Sequence, residues 1–191
     1  LVLDPNNDGN INAATNPNPL PYPTGQTTGF VSVFQPGATP YNWQNTSFKG
    51  PAKKDLVIYE LLVRDFVAKH NYQTLIDTLA YLDELGINVI ELMPPGEFEN
   101  NESWGYNPSF HKALDKYYGT PEKFKEFVDS CHNRGIAVVV DMVLNHAFGQ
   151  NPMVNMYWDA VNNRPAANSP WFNAICPHEP YCWGYDFDHT R

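Results

Sequence analysis

Three nearly continuous apolar runs, Leu56–Leu61, Ile87–Met93 and Ile136–Leu144, constrain this chain more than any other feature. A strand buried on both faces reads as an unbroken apolar run rather than as an alternation. Between the first two runs, Leu75, Ile76, Leu79, Leu82 and Leu85 recur at helical spacing, and Gly86 stops the helix. Between the second and third, Thr120-Pro121-Glu122 offers an N-cap hydroxyl, a proline at the first helical position and an acid in the first turn. Phe124, Phe127, Val128 and Cys131 supply that helix with an apolar face, and Gly135 ends it. Strand–helix–strand–helix–strand order with short returns implies a parallel sheet joined by right-handed crossovers.

The connections that leave the strands are long. About twenty-five residues separate Pro94 from Thr120, and everything after His146 reads as irregular. Long loops within a compact unit are usually functional. Both follow strand C-termini, the end at which an α/β barrel assembles its active site, and this favours a barrel over a doubly wound sheet. Residues 1–51 differ: they are dense in Asn, Pro, Gly and Thr, with one short alternating run, Phe30–Phe34, and read as extended linker. Within them, Asp4-Pro5-Asn6-Asn7-Asp8-Gly9 has the opening of a calcium loop. Its twelfth position is Thr15, where a bidentate glutamate is needed, so it reads as a polar turn.

Composition narrows the partners. A formal charge of −9 disfavours nucleic acid and anionic membrane surfaces. No apolar run approaches the roughly 18 residues of a membrane span. The aromatic fraction of 14% suits a protein that stacks on sugars, and equally a core filled with rings. Of the 3 cysteines, Cys131 falls on the apolar helix face. Cys176 and Cys182 bracket Pro-His-Glu-Pro-Tyr closely enough for a disulfide, although two thiols at this spacing can also sit unbonded.

Chemistry concentrates at two places. Asp141, Asn145 and His146 close the third run. Alternation puts Asp141, Val143 and Asn145 on one face, with His146 at the rim. An aspartate in so apolar a stretch is costly unless it is paired or hydrogen-bonded. Trp104-Gly105-Tyr106-Asn107-Pro108 lies in the loop after the second run, where rings beside Gly and Pro make a rigid platform for the apolar face of a sugar, or plug the loop onto the barrel. His111 and Asp115 read as anchors of that loop.

These segments together resemble the α-amylase superfamily of glycoside hydrolases. Asp141-Met142-Val143-Leu144-Asn145-His146 is similar to its first signature region. Glu91-Leu92-Met93-Pro94, Trp104–Pro108 and Tyr118-Gly119-Thr120 resemble its second strand and the loop that follows. Ile58-Tyr59-Glu60-Leu61 with Arg64-Asp65-Phe66 looks like its first barrel strand. The pullulanase-like and bacterial α-amylase branches fit best. The resemblance implies an α/β fold: the first three βα units of a (β/α)8 barrel over 52–191, truncated before strand 4, with 1–51 as the exit segment of a preceding β-sandwich.

The resemblance also implies roles. Tyr106 would stack on the sugar at the cleavage subsite with Trp104 beside it, His146 would hydrogen-bond that sugar's hydroxyls, and Asp141 would support the site. Asn145 matches a position that in many members ligates calcium through its amide oxygen, a suitable hard donor. Retaining glycosidases need two carboxylates about 5–5.5 Å apart. In this family they lie at the fourth and fifth strand ends, and the Arg-x-Asp run of the fourth strand does not occur here. Asp186 and Asp188 match no catalytic motif. The expectation is therefore part of a retaining hydrolase of α-glucans (starch, glycogen, pullulan or maltooligosaccharides), inactive alone and folding stably only with the remainder of the barrel. The alternative is a non-catalytic carbohydrate-binding or scaffold protein on the same barrel. Polysaccharide substrates imply an extracellular or cell-envelope location, with a cytoplasmic glycogen enzyme as the alternative.

Overall fold

The computed structural model describes residues 2–5, 20–101 and 103–190. Its elements begin with β1 (Val2–Leu3), β2 (Val31–Ser32), β3 (Ile58–Leu61), α1 (Val63–Phe66), α2 (Tyr72–Glu84), β4 (Val89–Leu92), β5 (Gly96–Phe98) and β6 (Pro108–Leu114). They continue with α3 (Pro121–His132), β7 (Ala137–Val140), β8 (His146–Ala147), α4 (Pro152–Met156), β9 (Trp158–Asp159), β10 (Arg164–Pro165) and β11 (Tyr185–Asp186). Most of the Asp4–Thr15 turn lies outside the described residues.

β3, β4 and β7 form a parallel sheet in chain order, with Glu60, Glu91 and Val139 in one cross-strand row and Leu61, Leu92 and Val140 in the next. α2 and α3 both pack on the face that carries Tyr59, Leu61, Ile90, Leu92 and Val138, and their own Leu75, Leu79, Leu82, Phe127 and Cys131 complete one core. Two successive right-handed crossovers in the same direction place their helices on the same side. That is the arrangement of the first units of a (β/α) barrel, whereas a doubly wound sheet would send helices to both sides. The helix side is covered along its length, whereas on the other face Val89 is buried but Ile58 (51%) and Val139 (48%) are exposed.

Both helix starts have a physical cause. Thr120 Oγ accepts from the Lys123 amide at 3.2 Å with Pro121 at the first helical position. Asn71 Oδ1 accepts from Thr74 N at 2.9 Å at the start of α2. Leu85, expected on the apolar face of α2, is its C-terminal cap and is 53% exposed, because the chain turns away at Gly86.

The long connections are more ordered than their composition implied. The stretch after β4 folds into the antiparallel pair β5–β6, and the chain after His146 contains β8–β11 and a second apolar cluster around Ala147, Val154 and Phe172. Buried Glu97 of β5 forms an ion pair with buried Lys116, just beyond β6. The linker-like segment is also partly docked. The amides of Gln44 and Asn45 donate to Asp129 of α3 at 2.8 and 3.2 Å, and Phe48 stacks on His132 with ring centres 3.9 Å apart.

Candidate functional site

Asp141 follows β7 directly, and its amide extends the ladder by donating to Leu92 O at 2.9 Å. Its carboxylate Oδ2 accepts from the Tyr106 hydroxyl at 2.6 Å. From the same strand exit, His146 Nε2 donates to the Tyr106 carbonyl at 2.8 Å. One tyrosine is thus held at both ends by two residues of a single segment. Its phenol is pushed up to about 12, first by the hydrogen bond to Asp141, then by burial and by the charges of Asp141, Glu60 and Glu91. The hydroxyl therefore stays protonated, and stays a donor, through the physiological range.

The loop that carries Tyr106 is pressed onto the end of β4. Gly105 has φ +94°, and a Cβ there would lie 2.3 Å from the Pro94 carbonyl oxygen, so only glycine fits. Arg64 donates to Ser103 O at 2.6 Å, and Ser103 Oγ accepts from Gly105 N at 3.0 Å. Trp104 is 58% exposed beside the half-buried Tyr106.

The structure brings Tyr106, Asp141 and His146 into direct contact and places Trp104 two residues from Tyr106. His146 is buried rather than at the rim. Its Nε2 is occupied by Tyr106, and its Nδ1 has no hydrogen-bond partner among the described residues. Asn145 is exposed, and its carbonyl accepts from Phe187 N at 2.9 Å. Calcium takes six to eight oxygen ligands. No group of three or more His, Cys, Asp or Glu able to hold a metal occurs among the described residues. Asp186 is buried and accepts from Asn173 Nδ2 at 2.7 Å, a structural use.

Two acids quoted in the sequence motifs were given no role there. Glu60 and Glu91 are adjacent across β3 and β4, on the uncovered face and electrostatically coupled to Tyr106. The signal was available: with alternating side chains, each of the first two runs carries a single glutamate that cannot share the face of its apolar neighbours. Cys176 and Cys182, left open from their spacing, are bridged with Cα atoms 6.0 Å apart.

The family model described as "Alpha amylase, catalytic domain" matches residues 40–190. Malto-oligosyltrehalose trehalohydrolase of Saccharolobus solfataricus is 34% identical over 118 residues, 62% of this chain and 20% of that protein. The 1,4-alpha-glucan branching enzyme GlgB of Vibrio cholerae is 40% identical over 117 residues, 56% of this chain and 16% of that enzyme. A Salmonella typhimurium crystal structure described as an alpha amylase superposes with a TM-score of 0.63 at 32% identity, over 84% of this chain and 25% of that one. The chain therefore spans about a fifth of the length of the curated relatives it matches.

Proposed function

Because the chain belongs to the α-amylase family, we propose that it supplies the sugar-facing wall of the cleft in a retaining glycoside hydrolase of α-glucans. The observation that carries this reading is the clamp on Tyr106. A phenol ring fixed by Asp141 and His146, with Trp104 exposed beside it, is a preorganised stacking surface at the C-terminal end of parallel strands. Relatives whose names specify maltooligosyl and 1,4-α-glucan chemistry support an α-1,4- or α-1,6-linked glucan as the substrate.

In this reading the enzyme works by double displacement. One carboxylate attacks the anomeric carbon and a second protonates the leaving oxygen. Both belong to barrel strands other than β3, β4 and β7, and the 191-residue segment has no activity without them. Asp141 is already committed to Tyr106 and acts by holding that ring. The Cys176–Cys182 bridge supports an oxidising location, outside the cell or in its envelope.

In the full-length protein, Tyr106→Ala and His146→Ala are expected to lower kcat/KM for a maltooligosaccharide by at least about tenfold. Tyr106→Phe keeps the ring but loses the tether to Asp141, and should fall between. Wild-type activity in both alanine variants would sink the assignment.

A further inference from the structure

The aromatic residues after His146 divide into two populations. Phe172 is buried, and Trp158, Trp171, Tyr185 and Phe187 pack around it in the second apolar cluster. Tyr181 and Trp183 are left outside, 86% and 67% exposed. A segment that already fills its core with rings gains nothing in stability from two more in water, and exposed aromatics two residues apart in the chain are candidates for a contact surface.

These two rings sit on an unusually well-fixed support. The Cys176–Cys182 bridge closes the loop that carries Tyr181, and the Tyr181 amide donates to His178 O at 2.8 Å within it. The stems are joined by Asn173 N donating to Asp186 O at 2.9 Å and Asn173 Nδ2 donating to Asp186 Oδ2 at 2.7 Å. The returning strand β11 then pairs with β8, setting Asp186 opposite His146 and Tyr185 opposite Ala147. Gly184, between Trp183 and β11, lies so close to the wall that a Cβ there would meet Ala147 O at 2.7 Å and His146 Cδ2 at 3.0 Å. Trp183 thus leaves the chain one residue from the ring that holds Tyr106.

We propose that Tyr181, within the disulfide-closed loop, and Trp183, the residue just after it, form a second sugar-stacking platform continuous with the Tyr106 wall, which binds glucose units of an α-glucan away from the bond being cleaved. This rests on the reading of the chain as a glucan-binding wall. Glucose units present apolar ring faces edged by hydroxyls, which match the apolar body and polar tip of Trp and Tyr. The formal charge of −9 disfavours anionic chains as the ligand. The bridge keeps the loop in its binding shape and so lowers the ordering cost of association.

The test is titration calorimetry of the full-length protein with maltoheptaose, alongside thermal melts. Trp183→Ala and Tyr181→Ala are each expected to weaken the affinity about tenfold, the equivalent of one lost ring contact. In hydrolysis the same variants should raise KM for maltoheptaose and leave kcat in place. Reduction of the bridge should weaken binding in the same direction. Unchanged affinity in both variants overturns the platform, as does a fall in Tm of several degrees with affinity retained, which would make the rings packing contacts with other parts of the protein. If Trp183→Ala fails to fold, Tyr181→Ala carries the test. A protein without hydrolytic activity whose maltoheptaose affinity still falls in these variants would support the platform and overturn only the hydrolase reading.

Discussion

At the scale of single residues, the carboxyl of Asp115 shows how burial sets behaviour. It is fully buried, with Oδ1 accepting from Tyr117 N at 2.8 Å and Oδ2 without a hydrogen-bond partner among the described residues. The groups around it are Glu97 of β5, Lys116 just beyond β6, and the buried phenols of Tyr72 and Tyr118. Burial first, and then the neighbouring Glu97, push it up to about 8. In the unfolded chain it titrates near 3.9. Between those values the native state holds a proton that the unfolded state has released, so stability falls as pH rises. The contribution is complete below about pH 4 and lost above about pH 8. The Tm of the full-length protein should therefore decline from pH 5 to pH 8.5, and Asp115→Asn, which keeps an acceptor for Tyr117 N, should flatten that decline. An equal slope in both proteins would remove Asp115 as the cause. Gly105 makes a second residue-scale prediction. Gly105→Ala puts a methyl into the Pro94 carbonyl and must displace the Tyr106 loop, so activity should fall by more than about tenfold even where the protein still melts cooperatively.

At the scale of elements, stability lies in the contact between α2, α3 and one face of the sheet. Leu79 is 1% exposed between those layers, and Leu79→Ala should cost about 2–5 kcal/mol by transfer plus cavity, read as a lowered denaturation midpoint with unchanged slope. The N-cap of α3 is worth less: Thr120→Ala should cost about 1 kcal/mol. Elements were also the most legible level of the sequence. Thr120, Pro121, Gly86 and Gly135 act over a few residues, so the C-terminal end of α2 and both ends of α3 could be read directly. The β5–β6 pair could not be. It depends on Glu97, Lys116 and Ser109 finding partners 12 to 19 residues away, and no local period announces that.

For the whole molecule, what matters is the sheet face that carries Glu60, Glu91 and Val139. It holds exposed Ile58 and Val139 together with two neighbouring carboxylates, a surface costly to leave in water and suited to being the interior of a larger barrel. The 191 residues on their own should therefore self-associate or melt without cooperativity. A sharp, reversible, concentration-independent melt of a monomer would refute this. The sequence by itself determined the order of parallel strands and helices and the helix caps, because periodicity and capping are local properties, while the membership of Asp141, His146 and Tyr106 in one region came from the resemblance of their motifs to a family. Only the tertiary structure decided that Tyr106 is held at both ends, that His146 is buried, that Cys176 and Cys182 are joined, and that one side of the sheet stands open. Each of these depends on groups distant in sequence meeting in space, and on which face of a strand two successive right-handed crossovers leave uncovered.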